Sequence, residues 1–207
     1  MITKESIKEI AKKNTKISEF AVDYFNRLFS IFNNLDLKKL DKLEIVLKKA
    51  RLNKNNIFVF GNGGSAATAS TMANDLGFDI LKKTSIKTPF KFFALTDNTP
   101  VITAISNDTG YENVLINQLR IHFQKKDTII LISASGNSKN LIKAANWVKK
   151  NNGYVFSFLG FDGGKLKNLS NDYILVKTEK GEYGPVEDMH LIINHIFAHW
   201  FQSRLIK

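Results

Sequence analysis

The feature that most constrains this 207-residue chain is an alternation of short apolar runs and helical patterns that begins after residue 55. A strand–helix–strand alternation of this kind forms a parallel sheet, and strands that are apolar throughout are covered by helices on both faces. We therefore predict an α/β fold with a doubly wound, flavodoxin-like, five-stranded parallel sheet. The predicted strands are Ile57–Phe60, Phe90–Leu95, Thr128–Ile132, Tyr154–Leu159 and Tyr173–Val176. The predicted helices begin near Ser65, Thr99, Asn137, Lys165 and Val186.

Residues 1–52 carry the pattern of two amphipathic helices that are separated by Asn33 and Asn34. Apolar residues recur at three- and four-residue spacing from Phe20 to Phe32 and again from Leu40 to Ala50. This predicts an N-terminal helical hairpin in front of an α/β core at 55–207, within one domain. The large aromatic residues of the hairpin either pack on the core or form part of a subunit interface, and the pattern leaves both open.

The composition restricts the functional classes. The chain has no cysteine, which excludes disulfides and cysteine nucleophiles and favours a reducing, cytoplasmic location. No apolar run is long enough to cross a bilayer, so we expect no membrane role. The net charge of +11 comes from lysines scattered singly and in pairs, which is typical of a solvated surface. We therefore expect no primary nucleic-acid role, although a basic surface favours an anionic small substrate.

The loops after the predicted strands are rich in Gly, Ser, Asn and Asp, and these loops form the ligand site of open parallel sheets. Gly61, Gly63 and Ala66 match a dinucleotide fingerprint, but Asp97 lies too far along to be its ribose-binding acidic residue. We therefore expect no nucleotide cofactor. The segment SASGNS at 133–138 places hydroxyl and N–H groups at a helix start, which suits a monophosphate, whereas an ordinary N-capping turn is the alternative.

Five segments together resemble a known family in order and spacing. GNGGSAATAS, LTDNTPVITAISNDTGYENV, ISASGNS, FLGFDGGKL and VEDMHLIINHI are similar to the sugar isomerase (SIS) domain of bacterial phosphoheptose isomerases, over nearly the whole chain. The resemblance implies a homotetrameric enzyme that interconverts sedoheptulose 7-phosphate and a D-glycero-D-manno-heptose 7-phosphate-type product. It also implies a role at the start of the synthesis of surface polysaccharide precursors.

The same resemblance implies a set of site residues. Ser133, Ser135 and Ser138 would hold the phosphate, and Asn62, Ser65 and Asp97 would meet the sugar. The further substrate-binding positions are Gly63, Asn137 and Glu187. Asp75 and His195 would be the catalytic residues, and Asp75, Glu187 and His195 would bind zinc.

The chain departs from the family pattern at several of these positions. The family binds zinc with a glutamate, two histidines and a glutamine. This chain has Asp75 at the position of the glutamate and Glu187 at that of the glutamine. His195 matches one histidine, whereas Thr71 stands at the position of the other. A hydroxyl is a poor zinc ligand beside an imidazole, whereas the extra carboxylate favours a metal ion. In addition, Ala134 stands where the family usually has a threonine, and Asp79 stands where an arginine is expected.

These departures keep alternatives open. Asp75, Glu187 and His195 each also fit a structural role on a helix. His190 and His199 share the last predicted helix with His195 and are candidate replacements for the missing ligand, whereas His122 is predicted to be structural. The alternative function is a non-catalytic SIS protein that binds a sugar phosphate or a protein partner and regulates.

Overall fold

The computed structural model of the protein describes residues 5–205 and contains a five-stranded parallel sheet. The strand order is β2-β1-β3-β4-β5, which is the flavodoxin-like order. The predicted fold class is confirmed, and each strand end lies within one residue of its predicted position. The strands are β1 Asn56–Gly61, β2 Lys91–Ala94, β3 Thr128–Ser133, β4 Tyr154–Gly160 and β5 Asp172–Val176.

Ten α-helices surround this sheet within the described residues. Those before the sheet are α1 Ile7–Lys13, α2 Ile17–Asn33 and α3 Lys38–Leu52, so α2 and α3 occupy the segment of the predicted hairpin. The others are α4 Gly64–Ala73, α5 Ile80–Lys83, α6 Thr99–Thr109, α7 Val114–His122, α8 Lys139–Lys150, α9 Gly164–Leu169 and α10 Tyr183–Leu205. A π-helical turn, Asn74–Asp79, joins α4 to α5, and a 3₁₀ turn, Tyr111–Asn113, precedes α7. Residues 1–4 and 206–207 of the predicted domain lie outside the described residues.

Two helix starts differ from the predictions for local reasons. Helix α8 begins two residues after the predicted Asn137 because its N-cap, Ser138, has an extended backbone with ψ +126°, which a right-handed helix does not allow. Helix α10 begins at Tyr183, three residues before the predicted Val186. Pro185 is compatible with this earlier start because the first turn of a helix needs no N–H from it.

Four of the strands, β1, β3, β4 and β5, each contribute to two separate hydrophobic cores because side chains alternate across the sheet. In β3, Ile130 and Ile132 face the core formed with α2, α3, α4 and α10, whereas Ile129 and Leu131 face the core formed with α7, α8 and α9. The sheet is therefore covered on both faces, as its apolar strands predict. No helix within residues 5–205 is long and apolar enough to cross a membrane.

A buried carboxylate, Glu182, connects the N-terminal helices to the start of α10. The guanidinium of Arg27 on α2 donates to both of its oxygens, at 2.7 and 3.2 Å. The backbone N–H groups of Ile7 and Glu179 also donate to it, at 2.8 and 2.9 Å. Burial raises the pKa of Glu182, but the hydrogen bonds from Arg27, Ile7 and Glu179 outweigh burial and hold the pKa below the ordinary value of 4.5.

We predict that Glu182→Gln lowers the free energy of unfolding by about 3 kcal/mol at neutral pH, because it leaves Arg27 buried without its counter-charge. The folded-state pKa of Glu182 is depressed, so its contribution is fully present above about pH 4.5 and is lost as pH falls through the folded pKa. Urea titrations between pH 3 and pH 8 measure the free energy of unfolding of both proteins. The difference in this free energy between the wild type and Glu182→Gln should become smaller below about pH 4.5.

Glu19→Gln, the same substitution at an exposed position of α2, is the control and should change neutral-pH stability by less than about 0.5 kcal/mol. An equal effect of the two substitutions would contradict a special role for Glu182.

Candidate active site

The site lies at the carboxyl edge of the sheet, where the chain leaves β1 and β3 in opposite directions. The amides of Asn62, after β1, and Asn140, on α8, bond each other across this switch point at 2.9 and 3.2 Å. The hydroxyl of Tyr111 donates to the Asn62 oxygen at 2.8 Å. The side chain of Asn62 is thus fixed on both sides by residues that the sequence analysis did not single out.

A cavity of about 180 Å³ opens beside this switch point. Six predicted site residues line it, together with Ile132, Ala134 and Tyr183. Ser65 lies in the first turn of α4 and Ser138 caps α8, so two helix N-termini adjoin the cavity. The positive ends of the two helix dipoles favour an anion there. The six residues are Asn62, Ser65, Ser133, Ser135, Ser138 and Glu187.

The hydroxyls of the β3 loop are available to a ligand. Those of Ser133 and Ser135 accept N–H bonds from Gly136 and Asn137, at 3.0 and 3.3 Å, which leaves each O–H free to donate. Ser138 is the N-cap of α8 but makes no side-chain capping bond. The plain capping-turn alternative therefore does not account for the Ser138 hydroxyl.

Asn137, predicted to bind substrate, uses its side chain within the protein. Its amide nitrogen donates to the Ser135 carbonyl at 2.9 Å, and its amide oxygen accepts from the Lys165 N–H at 3.1 Å. It joins the β3 loop to the start of α9 and is not among the residues that line the cavity.

The glycines of the β1 loop make room for a carboxylate of the chain itself. Gly63 has φ +55° and ψ −125°, a conformation that other residues avoid. A Cβ on Gly64 would lie 2.3 Å from a carboxylate oxygen of Glu187, so glycine leaves room for this carboxylate directly against α4.

Glu187 is half-buried at this contact. Burial and the neighbouring charge of Asp188 raise the pKa of Glu187, which makes its carboxyl easier to protonate than an exposed one. Asp188 in turn accepts a hydrogen bond of 2.5 Å from the Tyr24 hydroxyl on α2. The first turn of α10 is thus held by the N-terminal helices as well as by α4.

Asp75 and His195 meet at the other end of the α4–α10 pair. Asp75 lies in the π-helical turn, and its carboxylate oxygen is 3.6 Å from Nε2 of His195. The amide of Asn194 donates to the same oxygen at 2.7 Å. The Asp75 side chain is 17% exposed and that of His195 is 52% exposed. A carboxylate and an imidazole, the two groups of an acid–base pair, therefore lie next to each other at an accessible position.

The predicted residues thus form two clusters rather than one. Along α4 and the π-helical turn that follows it, Asp75 is ten residues beyond Ser65, which corresponds to about 15 Å of helix. Along α10, eight residues separate Glu187 from His195, or about 12 Å. The two helices run side by side from the cavity to the acid–base pair.

The predicted three-ligand zinc site is not assembled by these residues. Within residues 5–205 no three His, Asp or Glu side chains are gathered closely enough to hold one metal ion. Asp75 and His195 are paired, whereas Glu187 lies at Gly64 beside the cavity. The Thr71 hydroxyl donates to the Ala67 carbonyl at 3.0 Å instead of facing a metal site. The zinc ligand set does not fit the arrangement of the described chain.

The remaining histidines do not complete a ligand set either. His190 is fully buried, its Nε2 lies 3.3 Å from the Leu159 carbonyl, and burial lowers its pKa to about 4. His199 lies on a groove between α3 and α10, and His122 is exposed at the end of α7.

Two acidic positions lie away from the cavity. Asp97, predicted to meet the sugar, is exposed and accepts a hydrogen bond from the Ser70 hydroxyl on α4. Asp79, at the position of the family's arginine, pairs with Lys83 at 2.6 Å.

Sequence reasoning missed Tyr111, Asn140, Tyr183 and Asn194. Asn140 follows SASGNS by two positions and could have been found as a polar residue on the inner face of α8. Tyr111 and Tyr183 are distant in sequence from the loops they approach. Asn194 gave no signal because its partner, Asp75, is 119 positions away.

Comparison with known proteins agrees with this fold. The SIS domain family model matches residues 22–160. The phosphoheptose isomerase of Sulfurimonas denitrificans is 34% identical over 199 residues, which are 94% of this chain and 93% of that protein. A probable phosphoheptose isomerase of Thermoplasma acidophilum is 32% identical over 165 residues, which are 80% and 88% of the two chains.

Solved structures share the fold. The phosphoheptose isomerase from Neisseria gonorrhoeae superposes with a TM-score of 0.79 at 24% identity, covering 91% of this chain and 100% of that one. The phosphoheptose isomerase from Francisella tularensis gives a TM-score of 0.77 at 22% identity, covering 90% of this chain and 96% of that one. With the sequence matches above, these findings establish that the chain belongs to the SIS domain family, in its phosphoheptose isomerase group, and is an enzyme of the sugar-phosphate isomerase class.

Proposed function

We propose that this protein interconverts sedoheptulose 7-phosphate and a D-glycero-D-manno-heptose 7-phosphate-type aldose in the cytoplasm, for the synthesis of surface polysaccharide precursors. The observation that carries the proposal is the separation of an anion-binding cavity from an acid–base pair along α4 and α10. A sugar phosphate needs both: a cradle for its phosphate and, at its other end, groups that move protons between C1 and C2.

The length of the site favours an extended substrate. About 15 Å of helix separates Ser65, at the cavity, from Asp75. In a seven-carbon 7-phosphate the phosphate and the reacting carbons are at opposite ends of the molecule. The phosphate would bind Ser133, Ser135 and Ser138, and Asn62 and Ser65 would meet the hydroxyls next to it.

The proposed chemistry is proton transfer through an enediol. Asp75 takes a proton from C1 of the ketose while His195 gives a proton to the C2 carbonyl oxygen, which yields the enediol. Asp75 then returns its proton to C2, and the C1 hydroxyl gives its proton to His195 as the aldehyde forms. Both groups end in their starting protonation states, so the cycle is balanced.

Glu187 has a separate role in this proposal. Its raised pKa lets the carboxyl exchange a proton or donate a hydrogen bond to a sugar oxygen near the cavity. No step of the proposed mechanism depends on a metal ion, because Asp75 and His195 alone provide the base and the acid.

We also propose that the protein is a homotetramer in which the N-terminal helices form much of the interface. Helix α2 exposes Val22, Phe25 and Phe29 at helical spacing, and two of these side chains are aromatic. A groove of about 770 Å³ between α3 and α10 exposes Ile196 and Trp200. Apolar stripes of this extent on a single chain favour association with further copies.

Removing the hydroxyls of the β3 loop should weaken phosphate binding. We expect Ser135→Ala combined with Ser138→Ala to reduce the binding free energy of sedoheptulose 7-phosphate by at least about 2 kcal/mol, because each hydroxyl bond to a charged group contributes roughly 1.5 to 3 kcal/mol. Isothermal titration calorimetry measures the change, and Ser85→Ala, in an exposed loop, is the control. Unchanged affinity of the double variant would move the phosphate to another site.

Removing the acid–base pair should abolish catalysis. Asp75→Asn keeps the shape of the side chain but removes its basic oxygen, and His195→Gln removes the proton donor, so both should lose turnover. The assay follows exchange of the C1 or C2 hydrogen with deuterated water by NMR, for seven- and six-carbon sugar phosphates, with and without added zinc. It detects proton abstraction even when net conversion is slow.

Asp108→Asn and His122→Gln, at exposed positions, are the matched controls and should exchange at the wild-type rate. Equal exchange by wild type and Asp75→Asn would refute the assignment of Asp75 as the base. Absence of exchange in the wild type would instead favour a regulatory sugar-phosphate-binding protein.

The tetramer should be visible by light scattering at micromolar concentration as a mass of about 94 kDa, four times the 23.4 kDa of one chain. Phe25→Glu combined with Phe29→Glu should lower this mass, because it buries charge in the proposed interface. Ile121→Glu, at an exposed apolar residue of α7, is the control. A monomeric wild type at this concentration would rule the assembly out.

A further inference from the structure

The buried amide of Asn194 is the polar group of α10 that lies against the proposed base. The side chain is fully buried, and its nitrogen donates to the Asp75 carboxylate at 2.7 Å. The other atom of the amide, Oδ1, is buried and has no hydrogen-bond partner among the described residues. Because a carboxylate accepts but does not donate, the amide nitrogen must face Asp75 and the oxygen must face away.

The unpaired oxygen of the Asn194 amide lowers the stability of the folded protein. A buried amide with one unpaired oxygen destabilises a protein relative to an apolar side chain of similar volume. The bond that the nitrogen makes connects α10 to the π-helical turn that carries Asp75, and such turns occur frequently at functional sites. Asn194 thus supplies a hydrogen-bond donor to one oxygen of the Asp75 carboxylate.

Asp75 needs such a donor because its carboxylate is otherwise weakly restrained. His195 is 3.6 Å from the same oxygen, beyond a good hydrogen bond, and its side chain is more than half exposed. Among the described residues, the second carboxylate oxygen accepts only from the exposed amide of the adjacent Asn74, at 3.1 Å. Asn194 is the buried group that fixes the orientation of the carboxylate.

We propose that Asn194 is a positioning residue for the isomerisation, which holds the Asp75 carboxylate at the angle from which it takes the substrate proton. This inference rests on the proposed role of Asp75 as the base. Asn194 touches no substrate in this scheme and acts only through Asp75. Proton transfer is sensitive to the position of the base, and a displacement of about 1 Å can reduce the rate on the order of a hundredfold.

The test compares two substitutions that remove the donor but differ in their effect on packing. Asn194→Leu keeps the branched arrangement of heavy atoms and removes the unpaired oxygen, which offsets the cost of its larger methyl groups, so its unfolding temperature should be close to that of the wild type. Asn194→Ala leaves a cavity and should unfold at a lower temperature. Both should reduce kcat by a similar factor, about ten- to a hundredfold, with KM changed by less than about twofold, because the phosphate is held at the distant cavity.

The kinetics are measured well below each unfolding temperature, so that every variant is fully folded. Met189→Leu, a conservative change in the buried face of the same helix, is the control and should leave kcat unchanged. If kcat falls only in the less stable variant, with a large loss in Asn194→Ala and none in Asn194→Leu, Asn194 has a merely structural role and the proposal is overturned. Wild-type kcat in both variants would overturn it as well.

The outcome is separable from that of the proposed function. Loss of deuterium exchange in Asp75→Asn with full activity in Asn194→Leu rejects the positioning role alone. Full exchange in Asp75→Asn rejects the role of Asp75 and with it the positioning role of Asn194.

Discussion

The buried ion pair between Arg27 and Glu182 is the interaction on which the geometry of the site depends. Glu182 is 7% exposed and immediately precedes α10, the 23-residue helix that carries Glu187, Asn194 and His195. Its four hydrogen bonds fix where this helix starts relative to α1 and α2. A helix is stiff along its length, so a shift at its first turn would move His195 relative to Asp75. The N-terminal helices are therefore part of the site's framework as well as an apolar surface.

The parallel sheet supplies the other half of the framework. Strands β1 and β3 are neighbours whose following helices lie on opposite faces, which separates their loops and opens a crevice at the carboxyl edge. The GNGGS and SASGNS loops end at this crevice, and each leads into the N-terminus of a helix. The same topology places α4 and α10 on one face, where Gly64 allows Glu187 into close contact. In the proposed function, the anion-binding crevice and the acid–base pair of Asp75 and His195 therefore lie near opposite ends of this pair of helices.

The parts of this arrangement that follow from local sequence could be predicted, and those that follow from long-range packing could not. Strand β3 is recognisable because its residues are apolar on both faces, and SASGNS because its small polar residues follow that strand directly. Helix periodicity predicts a start of α10 three residues too late, because the tertiary bonds of Glu182 determine where this helix begins. The reciprocal amides of Asn62 and Asn140 and the bond from Asn194 to Asp75 span 78 and 119 positions, so no local pattern encodes them.

The departures at the acid–base pair fit together physically. An aspartate carries its carboxylate one methylene closer to the backbone than the glutamate of the family pattern, so the groups around it must come closer or the backbone must move. In this chain Asp75 lies in a π-helical turn, where one additional residue per turn displaces the backbone relative to an α-helix, and a buried amide reaches it from α10. Thr71, at the position of the family's second histidine, bonds its own helix and leaves the space beside Asp75 to the amide and the imidazole of α10. The carboxylate is therefore oriented by Asn194 and flanked by His195, and the proposed proton transfer uses these side chains in the positions they already occupy.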